Sequence, residues 1–248
     1  VDGPGRRLPA RERGLEELIV RGMTGRTDVL VPAHVATETS VPVAGGTGWL
    51  LGDPTHYDRE FCLDLVQLQG FILATQEHLV EALQLETDGP TRQKFLARLQ
   101  GEVTKRGVID VLRHGIKHGA HNLDLFYGTA SAGNVKAEEQ NRANRFSVAR
   151  QLRYSREETQ RALDVALFIN GLPIATFELK NRLTKQTVAD AVAQYQRDRD
   201  PREKLFEFGR CVAHFAVDEQ EVRFCTHLTG KGSWFLPFNL GWNDGAGN

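Results

Sequence analysis

Residues 164–180 read Asp164-Val-Ala-Leu-Phe-Ile-Asn170-Gly171-Leu172-Pro173-Ile-Ala-Thr-Phe-Glu178-Leu179-Lys180, and this stretch decides the architecture. Two apolar runs, Asp164–Ile169 and Ile174–Lys180, flank Asn170-Gly171. That dipeptide tolerates the left-handed backbone at both centres of a tight hairpin turn, which makes it the strongest short hairpin signal. In the second run, a side-chain period of two sets Glu178 and Lys180 on one face. Phe177 and Leu179 then turn to the other face and into the core. An acid and a base side by side after an apolar run are costly to bury unless they are paired or bind an ion.

Register extends the argument to Asp164. A loop of Asn170-Gly171 alone would set Asp164 opposite Phe177 and away from Glu178. A three-residue loop, Asn170-Gly171-Leu172, sets Asp164 opposite Glu178 on the same face. Pro173 lacks an N–H and fits a tight two-residue ladder poorly. The longer loop, or an equivalent bulge, is therefore predicted, with a carboxylate pair at Asp164 and Glu178. Such a pair is a hard-oxygen site suited to Mg²⁺ or Mn²⁺. Lys180 would orient the attacking water and stabilise developing negative charge. A Glu-x-Lys triplet alone is weak, since a surface ion pair beside an unrelated Asp gives the same letters. The hairpin, the upstream acid and the helix that follows give it weight.

Outward toward the C-terminus, Thr187 with Asp190 three residues on signals a helix start. Val188, Ala191, Val192 and Tyr195 form its stripe, and Pro201 stops it. Cys211–Val217 and Glu221–Leu228 read as a further hairpin. Toward the N-terminus, Asn122–Tyr127 and Phe146–Tyr154 alternate as strands. Residues 58–115 read as a helical hairpin: Asp58 opens a long helix (Phe61, Leu65, Leu68, Ile72, Leu79), Gly89-Pro90 ends it, and Phe95, Leu96, Leu99 and Val103 stripe a second. Residues 11–22 read as a short helix, and 26–57 hold β-prone runs such as Val29-Leu30-Val31. This order of elements argues for α/β or α+β with a single central sheet.

In that setting the sequence resembles the PD-(D/E)xK nucleases. More specifically, it resembles the N-terminal nuclease region of the restriction subunit of type I restriction enzymes. The resemblance rests on Asp164 to Lys180 and extends to Asp58-Arg59-Glu60, Val111–Gly115, Asn144-Arg145-Phe146, Arg150-Gln151, Tyr154-Ser155, Gln194-Tyr195, Arg197–Pro201, His214–Asp218 and Phe235–Asn239. It implies an α/β, restriction-endonuclease-like fold with a central mixed β-sheet flanked by helices. The helical hairpin at 58–115 would be an elaboration, and 121–241 the catalytic sheet and helix. It also implies a type I site-specific deoxyribonuclease, a Mg²⁺-dependent endonuclease acting on double-stranded DNA, with Asp164, Glu178 and Lys180 as its active site. The main-chain carbonyl of Leu179 would be a further metal ligand. Some related nucleases carry Gln-x-x-x-Tyr on the next helix. Gln194 matches its glutamine, but Asp198 stands where the tyrosine would, so no role passes to Asp198. A first-helix acid near the metal is also implied, with Glu16 the candidate and Glu17 close behind. Relatives work with modification and specificity subunits and carry an ATP-driven motor after the nuclease, so this chain is expected to be a fragment of a larger subunit. A stand-alone nuclease of the same fold and an inert DNA- or partner-binding module remain the alternatives.

The bulk properties bound these readings. The 248 residues are 40% hydrophobic and 25% charged, with a net charge of −1, so DNA binding must rest on local clusters. Arg145, Arg150, Arg182 and Lys185 are candidates for phosphate contact. No base-reading motif is evident. Cys62, Cys211 and Cys225 are odd in number and widely spaced, as expected of free thiols in a reducing compartment. Val1–Arg13 has no apolar signal core, and no run reaches the roughly 18 apolar residues of a membrane span, so a cytoplasmic location is expected. His114, His118 and His121 have helical spacing, but no Cys or carboxylate completes a zinc site. Gly128–Gly133 has P-loop glycine spacing, yet Asn134 replaces the lysine.

Overall fold

The computed structural model describes residues 12–26, 42–158, 160–181 and 185–239. In chain order the elements begin with α1 (Glu12–Thr24), β1 (Leu50–Leu51), β2 (Tyr57–Asp58), β3 (Leu63–Asp64), α2 (Leu65–Gln76), α3 (His78–Ala82), α4 (Pro90–Arg106) and α5 (Val108–His114). A short hairpin of β4 (Ile116–His118) and β5 (His121–Leu123) leads to α6 (Val135–Arg142). The long strands β6 (Phe146–Arg153), β7 (Ala162–Ile169) and β8 (Leu172–Leu179) follow. Then come α7 (Val188–Asp198), β9 (Ala213–Val217), β10 (Val222–Cys225) and β11 (Leu236–Pro237).

The chain forms an α/β fold around one mixed seven-stranded sheet, ordered β1-β6-β7-β8-β9-β10-β11. β6, β7 and β8 form an antiparallel meander, while β1 joins β6 and β9 joins β8 in parallel. The parallel step from β8 to β9 needs a crossover, and α7 supplies it. Asp190 accepts the N–H of Thr187 (2.8 Å) at the start of α7, as the sequence pattern requires.

Helices cover both faces. Leu15, Ile19, Val20 and Met23 of α1 pack with Val148, Val165, Leu179 and Val217 on one side. On the other, Val188, Ala191 and Tyr195 of α7 pack with Ala149, Leu163, Ala216 and Phe206. Each Val, Leu, Ile, Met or Phe side chain among these contributes roughly 1.5–3 kcal/mol when removed from water. A third core lies among α2, α4 and α5 and is joined to the sheet through Leu172. Cys62, Cys211 and Cys225 are free and buried. No helix among the described residues is long and apolar enough to cross a membrane.

One local expectation is met by the second of its two forms, and two are corrected. Of the longer loop and the equivalent bulge, the structure has the bulge: the turn after β7 is the two-residue Asn170-Gly171, with φ of 50° and 83°. A bulge in β8, between the pairs Phe168↔Pro173 and Leu167↔Ala175, supplies the extra residue instead. It leaves Val165 paired with Phe177, so Asp164 stands opposite Glu178 in the continuing register. Asp58 does not open a helix. Its carboxylate closes a turn by accepting from the N–H groups of Glu60 and Phe61 (2.8 and 2.9 Å), and Asp64 caps α2 through Gln67 N–H (3.1 Å). Asn122–Tyr127 does not form a strand of the main sheet, since β5 ends at Leu123 and pairs only with β4. Leu125 is anchored instead by its carbonyl, which accepts from the side-chain amide of Asn170 (2.8 Å). Val29-Leu30-Val31 lies outside the described residues.

Candidate active site

Continuing the strand registers lines up the positions of Gln151 on β6, Asp164 on β7 and Glu178 on β8 in one row. Asp164 is held twice. Its Oδ2 accepts from the main-chain N–H of Leu179 (2.7 Å), and its Oδ1 accepts from the Gln151 amide (3.4 Å). The same amide nitrogen donates to Glu16 (2.8 Å), which reaches the row from α1 and also pairs with Arg150. Gln151 has φ +50°, a left-handed conformation uncommon for a residue with a Cβ. The kink it makes disturbs the alternation of β6, because Ala149 and Leu152 both join the core beneath α7.

Glu178 is fully buried. Its Oε1 accepts from Arg199 Nε (2.6 Å), with Nη2 in ion-pair contact at 2.5 Å. Its Oε2 is buried with no hydrogen-bond partner. Behind it, Thr176 Oγ1 bonds both Tyr195 Oη and His214 Nδ1, each at 2.8 Å. Lys180 follows on the same face, half-buried, with its N–H donating to the Val217 carbonyl (2.8 Å). Among the described residues its ammonium group makes no ion pair.

Burial dominates the electrostatics of the acids. It pushes the Glu178 carboxyl up to about 8, and the neighbouring Asp164 anion adds to this while Arg199 and Lys180 oppose it. Burial likewise raises Asp164 against the Leu179 N–H, Lys180, Gln151 and Arg199. Glu16 is raised by burial, with Arg150 and Gln151 opposing and Asp164 adding. Burial outweighs pairing at each of the three acids, and Asp164 is the one felt by both of the others.

A hard divalent cation fits this donor set. The bare, buried Oε2 of Glu178 is a costly orphan as it stands, and a cation ligand is what such an oxygen lacks. Among the described residues no group of three or more His, Cys, Asp or Glu could hold a metal ion by side chains alone. Main-chain oxygen and water would have to complete the shell, as Mg²⁺ commonly accepts.

The structure thus sets Asp164 within electrostatic reach of Glu178, Lys180 and Glu16, but it does not gather every residue the sequence singled out. Gln194 is half-buried on α7 and makes no hydrogen bond to either carboxylate among the described residues. Glu17 is tied to Arg21 on α1. Arg145 donates through Nε to Gln67 (2.7 Å) and braces the hairpin turn, so both it and Arg150 have internal partners instead of open guanidinium groups. Lys185 is exposed, and Arg182 lies outside the described residues. His114 bonds Asp110, and His118 packs edge-on against Phe95.

Sequence reasoning missed Gln151 and Arg199 as site residues. Arg199 had a signal, because 188, 191, 195 and 199 continue one helical stripe and an arginine on a core-facing stripe needs a buried acid. Gln151 had none, since its role depends on a contact to Glu16 across 135 residues.

No curated protein and no solved structure matches this chain. A family model does, over residues 57–233, a span that includes the hairpin, Asp164, Glu178 and α7 but not Glu16. The chain belongs to the family of the type I restriction enzyme R protein N terminus.

Proposed function

We propose that this chain is the DNA-cleaving module of a type I restriction complex, hydrolysing phosphodiester bonds of double-stranded DNA with Mg²⁺, or Mn²⁺ in its place. The observation that carries this reading is the unpartnered, buried Oε2 of Glu178 in register with Asp164. In this reading Asp164 and Glu178 hold the cation, the Leu179 carbonyl adds a main-chain oxygen, and Glu16 supports them from α1. When bound, the cation lowers the pKa of a coordinated water and neutralises charge on the scissile phosphate. Lys180 donates to the water or to the phosphate oxygens as negative charge develops. Gln194 borders the site, and Arg182 and Lys185 contact duplex phosphates.

Specificity then comes from elsewhere in the complex. The modification and specificity subunits select the target, and an ATP-driven motor delivers DNA. The module works in the cytoplasm. Cleavage of plasmid DNA by the assembled complex, with Asp164→Ala, Glu178→Ala and Lys180→Ala compared with wild type, tests the reading. A loss of at least about a hundredfold is expected for each. Undiminished cutting by all three removes these residues from the chemistry.

One observation favours a second reading, an inert nuclease-like module: Arg199 already occupies one oxygen of Glu178. A wild-type complex that translocates DNA but never cuts would favour it.

A further inference from the structure

The buried ion pair has a geometry that bears on how many cations the site holds, granted the cation-binding reading of Asp164 and Glu178. Arg199 donates from Nε to one oxygen of Glu178, Oε1, with Nη2 in ion-pair contact with the same oxygen, and nothing reaches Oε2. The guanidinium is itself fixed. Nη1 donates to Tyr154 Oη (3.2 Å), Nη2 donates to the Ala162 carbonyl (2.8 Å), and the group lies over the Tyr154 ring at 5.4 Å. Arg199 is 5% exposed and Tyr154 2%, so neither group has room to swing. Because Tyr154 and Ala162 belong to the β6–β7 side of the sheet, Arg199 ties the end of α7 to the strand that carries Asp164.

Two divalent cations about 3.5–4 Å apart are commonly bridged by a carboxylate that gives one oxygen to each. Glu178 has one oxygen free. The other carries a permanent positive charge at 2.5 Å, and a second dication beside that charge would meet repulsion that dry surroundings do not screen. We propose that Arg199 is a positioning residue that makes Glu178 a one-oxygen ligand and stands in place of a second cation, so the site takes a single divalent ion.

Mn²⁺ titration of the full-length protein without nucleotide, followed by electron paramagnetic resonance of the free ion, tests this apart from activity. The readout is the set of Mn²⁺ ions lost in Asp164→Asn. One such ion per chain is expected in wild type. Arg199→Gln is expected to bind it about 10- to 100-fold more weakly, and Arg199→Lys, which keeps the charge but not the fork, should recover part of that loss. Tyr154→Phe loosens the guanidinium without touching Glu178 and should weaken Mn²⁺ several-fold. It carries the test if Arg199→Gln does not fold. Two Asp164-dependent ions in wild type would overturn the proposal, as would unchanged affinity in the folded Arg199 and Tyr154 variants. Absence of any Asp164-dependent Mn²⁺ in wild type would instead overturn the cation-site reading itself, and this inference with it.

Discussion

At the scale of single residues, Gln151 joins two acids that would otherwise repel. Its amide donates to Glu16 and to Asp164 from a backbone held at φ +50°. Left-handed backbone costs a residue with a Cβ about 1–2 kcal/mol, and strain of this kind persists where surrounding contacts over-determine it. The backbone and amide contributions can be separated. Gln151→Gly and Gln151→Ala both remove the amide, but only glycine relaxes the backbone. Glycine is therefore expected to be more stable than alanine by about 1 kcal/mol in urea unfolding. Both should bind Mn²⁺ about tenfold more weakly than wild type, as loss of an outer partner commonly does. Equal stability of the two variants would show that position 151 carries no strain. Wild-type affinity in both would show that the amide does not support the site.

At the scale of elements, the β7–β8 hairpin is fixed from outside as well as by its own turn. Asn170 is fully buried. It accepts from the Arg145 N–H (2.6 Å) and donates to the Leu125 carbonyl, while the Gly171 carbonyl accepts from the Asp64 N–H (2.8 Å). A Cβ on Gly171 would lie 2.4 Å from the Asp64 carbonyl oxygen and 2.7 Å from Leu68 Cβ, at a φ of 83°. Gly171→Ala is therefore expected to destabilise the protein by about 1–3 kcal/mol, read as a fall in Tm of several degrees in a thermal melt. A Tm within a degree of wild type would mean that the turn and α2 are not in this contact.

The same hairpin shows what the sequence could disclose. Asn170-Gly171 announced the turn, and Pro173 announced an irregularity, because both act through local backbone chemistry. Whether the irregularity lay in the loop or in a bulge at Ile174 depended on how β8 fits β9 and α2, which local letters do not carry. Asp58 and Asp64 illustrate the same limit. Each precedes a helical pattern, and only the pairing of β2 with β3 decides which one caps α2. The acids at 164 and 178 were readable because register is local. Arg199 was half-readable from its stripe, and the Gln151–Glu16 contact was not readable at all.

At the scale of the whole molecule, two buried groups on the α7 side of the sheet give stability opposite pH dependences. His214 is held neutral by burial, which lowers it from an ordinary 6.5 to about 3. Its contribution is complete above 6.5 and is lost as pH falls from there toward 3, because the unfolded chain binds a proton that the fold excludes. Glu178 is raised from an ordinary 4.5 to about 8. Its contribution is complete below 4.5 and is lost as pH rises toward 8, because the unfolded chain releases a proton that the fold retains. Each slope is about 1.4 kcal/mol per pH unit, so the two cancel between 4.5 and 6.5. Below that interval the histidine governs, and above it the glutamate does. Urea unfolding across pH 3–9, without divalent cations, should show the pattern as differences from variants. Wild type minus His214→Gln should slope only on the acid side of 6.5. Wild type minus Glu178→Gln should slope only between 4.5 and 8. Added Mn²⁺ should stabilise wild type most at the alkaline end, where the ion no longer competes with a proton for Glu178, and should leave Glu178→Gln nearly unmoved. A Glu178→Gln variant with the wild-type alkaline slope would show that Glu178 is ionised throughout, with Arg199 outweighing burial.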